Sequence, residues 1–171
     1  MSEAFIPVNI AVLTVSDSRN FDNDTSGKVL EDKAREDGHH VVDRQIVPDD
    51  IYQIRAIVSQ WIANPEIHAI ITTGGTGLTG RDGTPEAVRV LFDKEIEGFG
   101  ELFRHLSYQV IKTSTVQSRA IAGVANATFI FCLPGSSGAC RTGWDEILHD
   151  QLDNRHKPCN FVELMPRLLE K

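Results

Sequence analysis

The stretch "ITTGGTGLTGRDGTPEA", residues 71–87, decides how the rest of the chain is interpreted. Four glycines lie between positions 74 and 80, directly after the apolar segment 66–73 and ahead of Thr84-Pro85-Glu86. Glycine lets backbone amides approach an anion closely, and successive amides form a concave anion-binding nest. Proline suits the first turn of a helix. We therefore predict a strand, a phosphate-binding loop and a helix, in that order.

Two familiar phosphate-binding motifs almost match this loop. Gly75-x-Gly77-x-x-Gly80 fits the dinucleotide fingerprint, but the loop follows the third predicted strand, and the helix begins several residues too late. Gly75 and Gly80 also have the Walker A spacing, but Arg81-Asp82 replace its Lys-Ser/Thr pair. Those missing residues hold the terminal phosphates and magnesium in P-loop enzymes. The sequence therefore favours a phosphate loop of neither class.

Strand and helix patterns alternate along the chain. Strands are predicted at 8–15, 40–47, 66–73 and 127–137, and helices at 24–38, 49–63, 85–95, 98–111 and 138–153. The proline-containing tail 154–171 is predicted to pack as an extended arm. The alternation predicts an α/β fold of three α-β-α layers, with helices on both faces of a mostly parallel sheet. We expect residues 1–171 to form a single domain.

The predicted strands end in small, acidic or glycine residues. In open α/β sheets, ligands bind beyond the carboxyl ends of the strands, near a switch in strand order. The relevant ends are Ser16-Asp17, Pro48-Asp49-Asp50, Gly74-Gly75-Thr76-Gly77 and Pro134-Gly135-Ser136. We expect these ends to meet at one edge of the sheet and to form a ligand site.

Acidic residues near the loop place a condition on the ligand. A carboxylate such as Asp82 repels a phosphate unless a metal or a donor-rich ring lies between them. Asp82, with Asp17 and Asp49, therefore indicates either Mg²⁺ bridging to phosphate or hydrogen bonds to a heterocycle. Asp17 as a turn residue and Asp49 as a helix cap are the simpler alternatives. Ser118 and Arg119 are candidate hydrogen-bond donors to an anion, or else ordinary loop and helix residues.

The composition argues against several classes of function. The net charge of −7 disfavours diffuse nucleic-acid binding, which needs a basic face. No apolar run reaches the roughly 20 residues that span a membrane, and the N-terminus lacks a basic signal-peptide region. Three cysteines without a CxxC pair disfavour a disulfide framework or a zinc site. We expect a cytoplasmic protein with a small-molecule partner.

Seven segments together resemble the molybdenum-cofactor biosynthesis family that includes MoaB and MogA. Residues 140–161 are similar to its MoaB branch in particular, and the resemblance covers most of the chain. The segments are "TVSDS" (14–18), "DTSG" (24–27), "TTGGTG" (72–77), "RDGTPEA" (81–87), "GFGELFR" (98–104), "TSTVQSRAIAG" (113–123) and "LPGS" (133–136).

The resemblance implies that the chain binds molybdopterin, a pterin with a dithiolene and a terminal phosphate, and adenylylates that phosphate with Mg²⁺-ATP. It implies that Asp49 and Asp82 are the catalytic and metal-binding acids, and that the chain forms a homo-oligomer, a trimer or a hexamer. With Ser118 and Arg119 added as anion donors, the expected ligand-binding residues are Ser16, Asp17, Gly74, Gly75, Thr76, Gly77, Ser118, Arg119, Pro134, Gly135 and Ser136. The alternatives are a non-catalytic molybdopterin-binding or carrier protein, and a flavodoxin-like FMN protein.

Overall fold

A computed structural model describes residues 3–171 of the chain as a six-stranded sheet flanked by helices. The sheet order is β2-β1-β3-β6-β5-β4, where β2, β1, β3 and β6 are parallel and β5 is antiparallel to β6 and β4. The strands are β1 Asn9–Val15, β2 His40–Val47, β3 Ala69–Thr73, β4 Lys94–Glu95, β5 Ile121–Ala125 and β6 Thr128–Leu133. The predicted α/β fold with a mostly parallel sheet is confirmed.

Helices cover both faces of this sheet. Helices α1, α4 and α5 pack on one face, and α2 and α3 on the other. The helices are α1 Thr25–Glu36, α2 Ile51–Ile62, α3 Thr84–Arg89, α4 Glu97–Ile111, α5 Ser137–Gly143, α6 His149–Gln151 and α7 Phe161–Leu164. Two 3₁₀ segments, Lys112–Gln117 and Met165–Arg167, and a π-helical turn, Trp144–Leu148, complete the chain.

The apolar run of β1 is explained by burial on both faces. Ile10 and Val12 belong to the core under α1 and α4, whereas Ala11 and Leu13 belong to the core under α2. Successive side chains of a strand point to opposite faces, so a central strand between two helical layers is apolar throughout. β1 thus separates two cores and lies between β2 and β3 in the sheet.

The predicted helix 85–95 is too long. α3 ends at Arg89, and the Asp93 amide donates to the Val124 carbonyl at 2.8 Å. A Cβ on Gly123 would lie 2.4 Å from Phe92 Cγ, so the glycine makes room for the aromatic ring. Packing of Phe92 on β5 and pairing of β4 with β5 therefore override the local helical pattern.

Two elements predicted for the C-terminal part of the chain also differ from the structure. The helix predicted over 138–153 is divided into α5, the π-helical turn and α6. The tail is not an extended arm, because α7 and the second 3₁₀ segment fold back onto the sheet. The Phe161 ring lies 4.7 Å, centroid to centroid, from that of Phe129, and Val162 is buried in the same core. The tail is therefore an integral part of one core.

Candidate functional site

A cavity of about 560 Å³ lies at the carboxyl ends of β1, β3 and β6. The predicted site residues that line it are Ser16, Asp49, Gly74, Gly75, Thr76, Gly77, Asp82, Ser118, Pro134, Gly135 and Ser136. Asp17 and Arg119 do not line it, although both contact residues that do. The expectation that the strand ends meet at one edge therefore agrees with the geometry.

The glycine loop adopts a conformation that other residues rarely accept. Gly74 and Gly75 have φ angles of +103° and +69°. A Cβ on Gly75 would lie 2.3 Å from Thr84 Oγ1, and one on Gly74 would lie 2.2 Å from the Val15 carbonyl oxygen. Thr84 fixes the loop by donating from Oγ1 to the Gly74 carbonyl at 2.8 Å and from its amide to the Gly75 carbonyl at 2.9 Å. Left-handed backbone and close packing both require glycine here.

Backbone amides in the middle of this loop have no hydrogen-bond partner among the described residues. The Gly74 amide donates to the Leu133 carbonyl at 3.0 Å, and the Thr79 amide to Asp82 Oδ2 at 3.2 Å. Between them, the amides of residues 75–78 donate to no group within residues 3–171, and those of residues 75–77 belong to residues that line the cavity. Ser118 Oγ is also buried without a partner in this part of the chain. The donors of residues 75–77 and of Ser118 belong to residues that line the cavity and have no partner there, so they are available to an anionic ligand.

Asp49 and Asp82 stand next to the loop. Asp50 rather than Asp49 caps α2, because its Oδ1 accepts the Tyr52 and Gln53 amides at 2.9 and 3.0 Å. The helix-cap interpretation of Asp49 is therefore wrong. A Cβ on Gly75 would lie 3.2 Å from Asp49 Oδ1, and a Cβ on Gly77 would lie 2.5 Å from Asp82 Oδ2.

Negative charges are crowded at this end of the cavity. Burial raises the pKa of Asp49, and the charges of Asp17 and Asp82 raise it further. Asp17 accepts the Asp49 amide at 2.9 Å and pairs with Arg81 Nε at 3.0 Å. Asp17 thus orients the backbone at Asp49 from outside the cavity. A cation between the carboxylates would relieve the repulsion.

The carboxylates fit Mg²⁺ only together with oxygens from a ligand. Within residues 3–171, no group of three or more His, Cys, Asp or Glu side chains is arranged to hold a metal ion. Mg²⁺ commonly binds through one or two carboxylates, waters and substrate phosphates rather than in an all-protein cage. Asp49 and Asp82, beside a glycine loop with unpartnered amides, meet this weaker requirement.

Arg119, predicted as an anion donor, is used by the protein itself. Its Nε lies 3.0 Å from the Gly77 carbonyl oxygen and 3.3 Å from that of Thr76, and its Nη2 donates to Gly77 at 2.6 Å. Its Nη1 pairs with Glu86. The structure therefore places the guanidinium behind the loop and not in the cavity.

The opposite wall of the cavity was not predicted from the sequence. It is formed by α4, the first 3₁₀ segment and α5, and combines apolar side chains with small polar ones. Its lining residues include Phe103, Ser107, Val110, Ile111, Ser114, Gln117, Ala139 and Thr142. Apolar residues at helical spacing indicate a core as readily as a binding wall. The family-like segments 98–104 and 113–123 were the available signal. Such a wall suits a planar heterocycle.

The fold and this site define an α/β domain with a glycine-rich loop at the carboxyl edge of its sheet, and comparison with known proteins identifies the family of this domain. The family described as "Probable molybdopterin binding domain" matches residues 11–154. The chain is 58% identical over 161 residues to molybdenum cofactor biosynthesis protein B of Escherichia coli (strain K12), covering 94% of this chain and 95% of that protein.

Two solved structures are similar to the whole fold. A crystal structure of molybdenum cofactor biosynthesis protein B superposes with a TM-score of 0.85 at 41% identity, covering 88% of this chain and 94% of that one. The tungsten cofactor synthesizing protein MoaB from Pyrococcus furiosus superposes with a TM-score of 0.75 at 37% identity, covering 84% and 92%. The chain belongs to the MoaB/MogA family of molybdenum cofactor biosynthesis proteins.

Membrane insertion through a helix finds no support in the structure. Across residues 3–171, every helix is too short or too polar to cross a bilayer.

Proposed function

We propose that this chain binds molybdopterin and adenylylates its terminal phosphate with Mg²⁺-ATP. The observation that carries the proposal is the row of unpaired amides at residues 75–77, which lies beside Asp49 and Asp82 at one end of the cavity. Membership of a probable molybdopterin-binding family supports the identity of the pterin. The similar Escherichia coli protein is named for molybdenum cofactor biosynthesis.

The two halves of the cavity fit the two ends of such a ligand. The loop amides and Ser118 Oγ offer donors to a phosphate, and the wall with Phe103 and Val110 offers apolar surface to a pterin ring. Ser107 on α4 is buried and lines the same wall, so its hydroxyl is available to the polar edge of the ring. This orientation places the terminal phosphate near the carboxylates.

Adenylyl transfer requires little covalent participation from the protein. An oxygen of the terminal phosphate attacks the α-phosphorus of ATP, the bond from that phosphorus to the β-bridging oxygen breaks, and pyrophosphate leaves with the electron pair. The phosphate oxygen is already an anionic nucleophile, so no activated serine or histidine is needed. The loop amides hold the terminal phosphate, and Asp49 and Asp82 would hold Mg²⁺ beside it; alignment of the reactants is the main catalytic contribution in phosphoryl transfer. Mg²⁺, when bound at the two carboxylates, would offset the negative charge of the phosphates.

The remaining expectations belong to the same proposal. We propose that residues 1–171 act as one molybdopterin-binding domain, in the cytoplasm, within a trimer or hexamer. The mass of the native assembly in solution distinguishes those two oligomers. A monomer would contradict both.

One assay tests the proposed reaction. The purified protein is incubated with molybdopterin, Mg²⁺ and ATP, and the adenylylated pterin and pyrophosphate are quantified. We expect both products in equal amounts, and none without Mg²⁺. Tight binding of molybdopterin without either product would contradict the transferase and favour the non-catalytic carrier. Absence of binding would contradict both functions.

A further inference from the structure

Arg119 is anchored to the back of the glycine loop by contacts to two consecutive carbonyl oxygens. Its Nε and Nη2 lie 3.0 and 2.6 Å from the Gly77 oxygen, and its Nε lies 3.3 Å from the Thr76 oxygen. Its third nitrogen pairs with Glu86, which is on α3. Thr76 and Gly77 line the cavity, whereas Arg119 does not. The guanidinium therefore binds the side of the loop that faces away from the cavity.

The geometry of the peptide bond links these hydrogen bonds of Arg119 to the direction of the loop amides. In a trans peptide, the carbonyl of one residue and the amide N–H of the next point in opposite directions. Holding the Thr76 and Gly77 carbonyls toward Arg119 therefore directs the N–H groups of Gly77 and Leu78 away from it. The geometry points to Arg119 as a positioning residue that orients the loop amides toward a phosphate. This inference rests on the proposed function, because it assigns the group that prepares the same site.

The outer part of the loop has few other supports. Residues 78–81 are exposed, and Gly80 adopts a left-handed φ of +49°. Thr84 holds the carbonyls of Gly74 and Gly75, which are the earlier half of the loop. Arg119 holds the later half. Without it, the peptide groups at 76–78 would be free to rotate, and a bound phosphate would have to order them.

The chemistry of the contact requires arginine rather than any cation. A guanidinium presents several N–H donors in one rigid plane, whereas a lysine ammonium is a compact point charge on a flexible stem. A lysine could reach one carbonyl but could not hold two carbonyls and Glu86 in a fixed plane. The substitutions Arg119→Lys and Arg119→Ala therefore separate loss of shape from loss of charge. Arg89→Ala is a matched control, because Arg89 is exposed and, within residues 3–171, its side chain forms an ion pair with Glu95 at 3.3 Å and with no other group.

The experiment compares these three variants with the wild-type protein in molybdopterin affinity and in turnover with Mg²⁺-ATP. We expect Arg119→Ala and Arg119→Lys to lose about 10- to 100-fold in kcat/KM, the scale of one or two charge-assisted hydrogen bonds. The loss should appear mainly as a raised KM, with Arg89→Ala unchanged. Guanidinium ion added to Arg119→Ala should restore part of the affinity, and methylammonium should not. Wild-type kinetics in a folded Arg119→Lys protein would overturn the inference.

A second measurement does not depend on the proposed reaction. Backbone amide resonances of Gly77 and Leu78 in the ligand-free protein report the orientation of the two peptide groups. We expect both to shift in Arg119→Lys and to stay in place in Arg89→Ala. Unchanged resonances would overturn the positioning role, even if the wild-type protein fails to bind molybdopterin. Shifted resonances in a protein that binds no molybdopterin would instead contradict the proposed function alone.

Discussion

The carboxyl edge of the sheet and the C-terminal tail differ in whether their polar groups have hydrogen-bond partners in the protein. In the tail, Asn154 accepts the Ile6 amide at 2.8 Å and donates to the Ala4 carbonyl at 2.9 Å. Asn160 donates to the Asn154 carbonyl at 3.1 Å and accepts the Glu163 amide at 2.9 Å. At the carboxyl edge, the amides of residues 75–77 and Ser118 Oγ have no partner within residues 3–171.

This difference in hydrogen bonding distinguishes residues that stabilise the fold from residues that form a ligand site. Paired buried groups fix the tail against the core, since each hydrogen bond there replaces one made to water. The crowded carboxylates disfavour the ionised form of Asp49 in the folded protein, and such local conflicts are common at functional sites. Substitutions at the edge should therefore lower activity without lowering stability, and substitutions in the tail should lower stability without changing activity per folded molecule.

The largest effect is expected at Asp82. Asp82→Asn removes a carboxylate beside the loop but keeps the shape, so turnover should fall by about 1,000-fold or more, the scale of losing one key electrostatic contact. Product formation with molybdopterin, Mg²⁺ and ATP is the measurement, together with thermal unfolding. Asp50→Asn is the matched control, because asparagine retains the cap of α2. Wild-type turnover in Asp82→Asn would exclude this acid from the mechanism.

The tail should show the reverse pattern. Phe161→Ala removes a ring that packs 4.7 Å from Phe129 and 5.6 Å from Phe131. Because Phe161 is half-buried, we expect a loss of about 2–3 kcal/mol in the free energy of unfolding, below the range for fully buried aromatic residues. Activity per folded molecule should not change. Denaturant unfolding measures the loss, and Leu169→Ala, at an exposed position, is the control. Equal stability of the two variants would show that the tail is not part of the core.

A stabilising substitution is expected at Asp49. Its raised pKa means that the ionised carboxylate is disfavoured in the folded protein, mainly by burial. Asp49→Asn should therefore raise the free energy of unfolding at about pH 7, by less than about 1 kcal/mol because the site is open to solvent. Below the ordinary carboxyl pKa of 3.8, the group is protonated in both states, so the gain should vanish there.

Unfolding of Asp49→Asn and Asp50→Asn at about pH 7 and about pH 3, below the ordinary carboxyl pKa, provides the measurement. Only the first variant should be more stable than wild type, and only at the higher pH. A loss of stability in Asp49→Asn at about pH 7 would contradict the proposed charge crowding.

The smallest effect is expected at His149, far from the loop. His149 Nδ1 lies 2.7 Å from Asp37 Oδ2, which also accepts Trp144 Nε1 at 2.7 Å, and the hydrogen bond to Asp37 raises the pKa of His149. Stability from this pair is complete below the ordinary histidine pKa of 6.5 and is lost as the pH rises through the raised value.

His149→Ala should therefore cost a few tenths of a kcal/mol at about pH 6 and nearly nothing at about pH 9, since the imidazole is half-exposed. Unfolding at both pH values measures the difference, with the exposed His105→Ala as the control. A cost that does not depend on pH would assign His149 to packing alone.

The sequence predicted the parts of the molecule that obey local rules. Strand ends at Ser16, Gly74 and Pro134 converge because parallel strands place their carboxyl ends together. The hairpin from β5 to β6 was missed, since its turn uses Asn126 and Ala127 at positive φ, +47° and +63°, without the usual glycine. The wall with Phe103 and Val110 was missed because helix periodicity does not distinguish a core from a cavity. Arg119 was predicted to donate to a ligand in the cavity, whereas its side chain binds the loop carbonyls instead. The direction of a side chain depends on tertiary packing, which the sequence alone does not reveal.

Phosphate recognition by the loop is the central claim, and it is tested most directly by the affinities of two ligands for the wild-type protein. Molybdopterin and its dephosphorylated form differ only in the group that we assign to the amides of residues 75–77. Calorimetric titration of each, without ATP, isolates that group. We predict that removing the phosphate weakens binding by about 100-fold or more, the scale of two or more charge-assisted hydrogen bonds. Equal affinities for the two ligands would contradict the assignment.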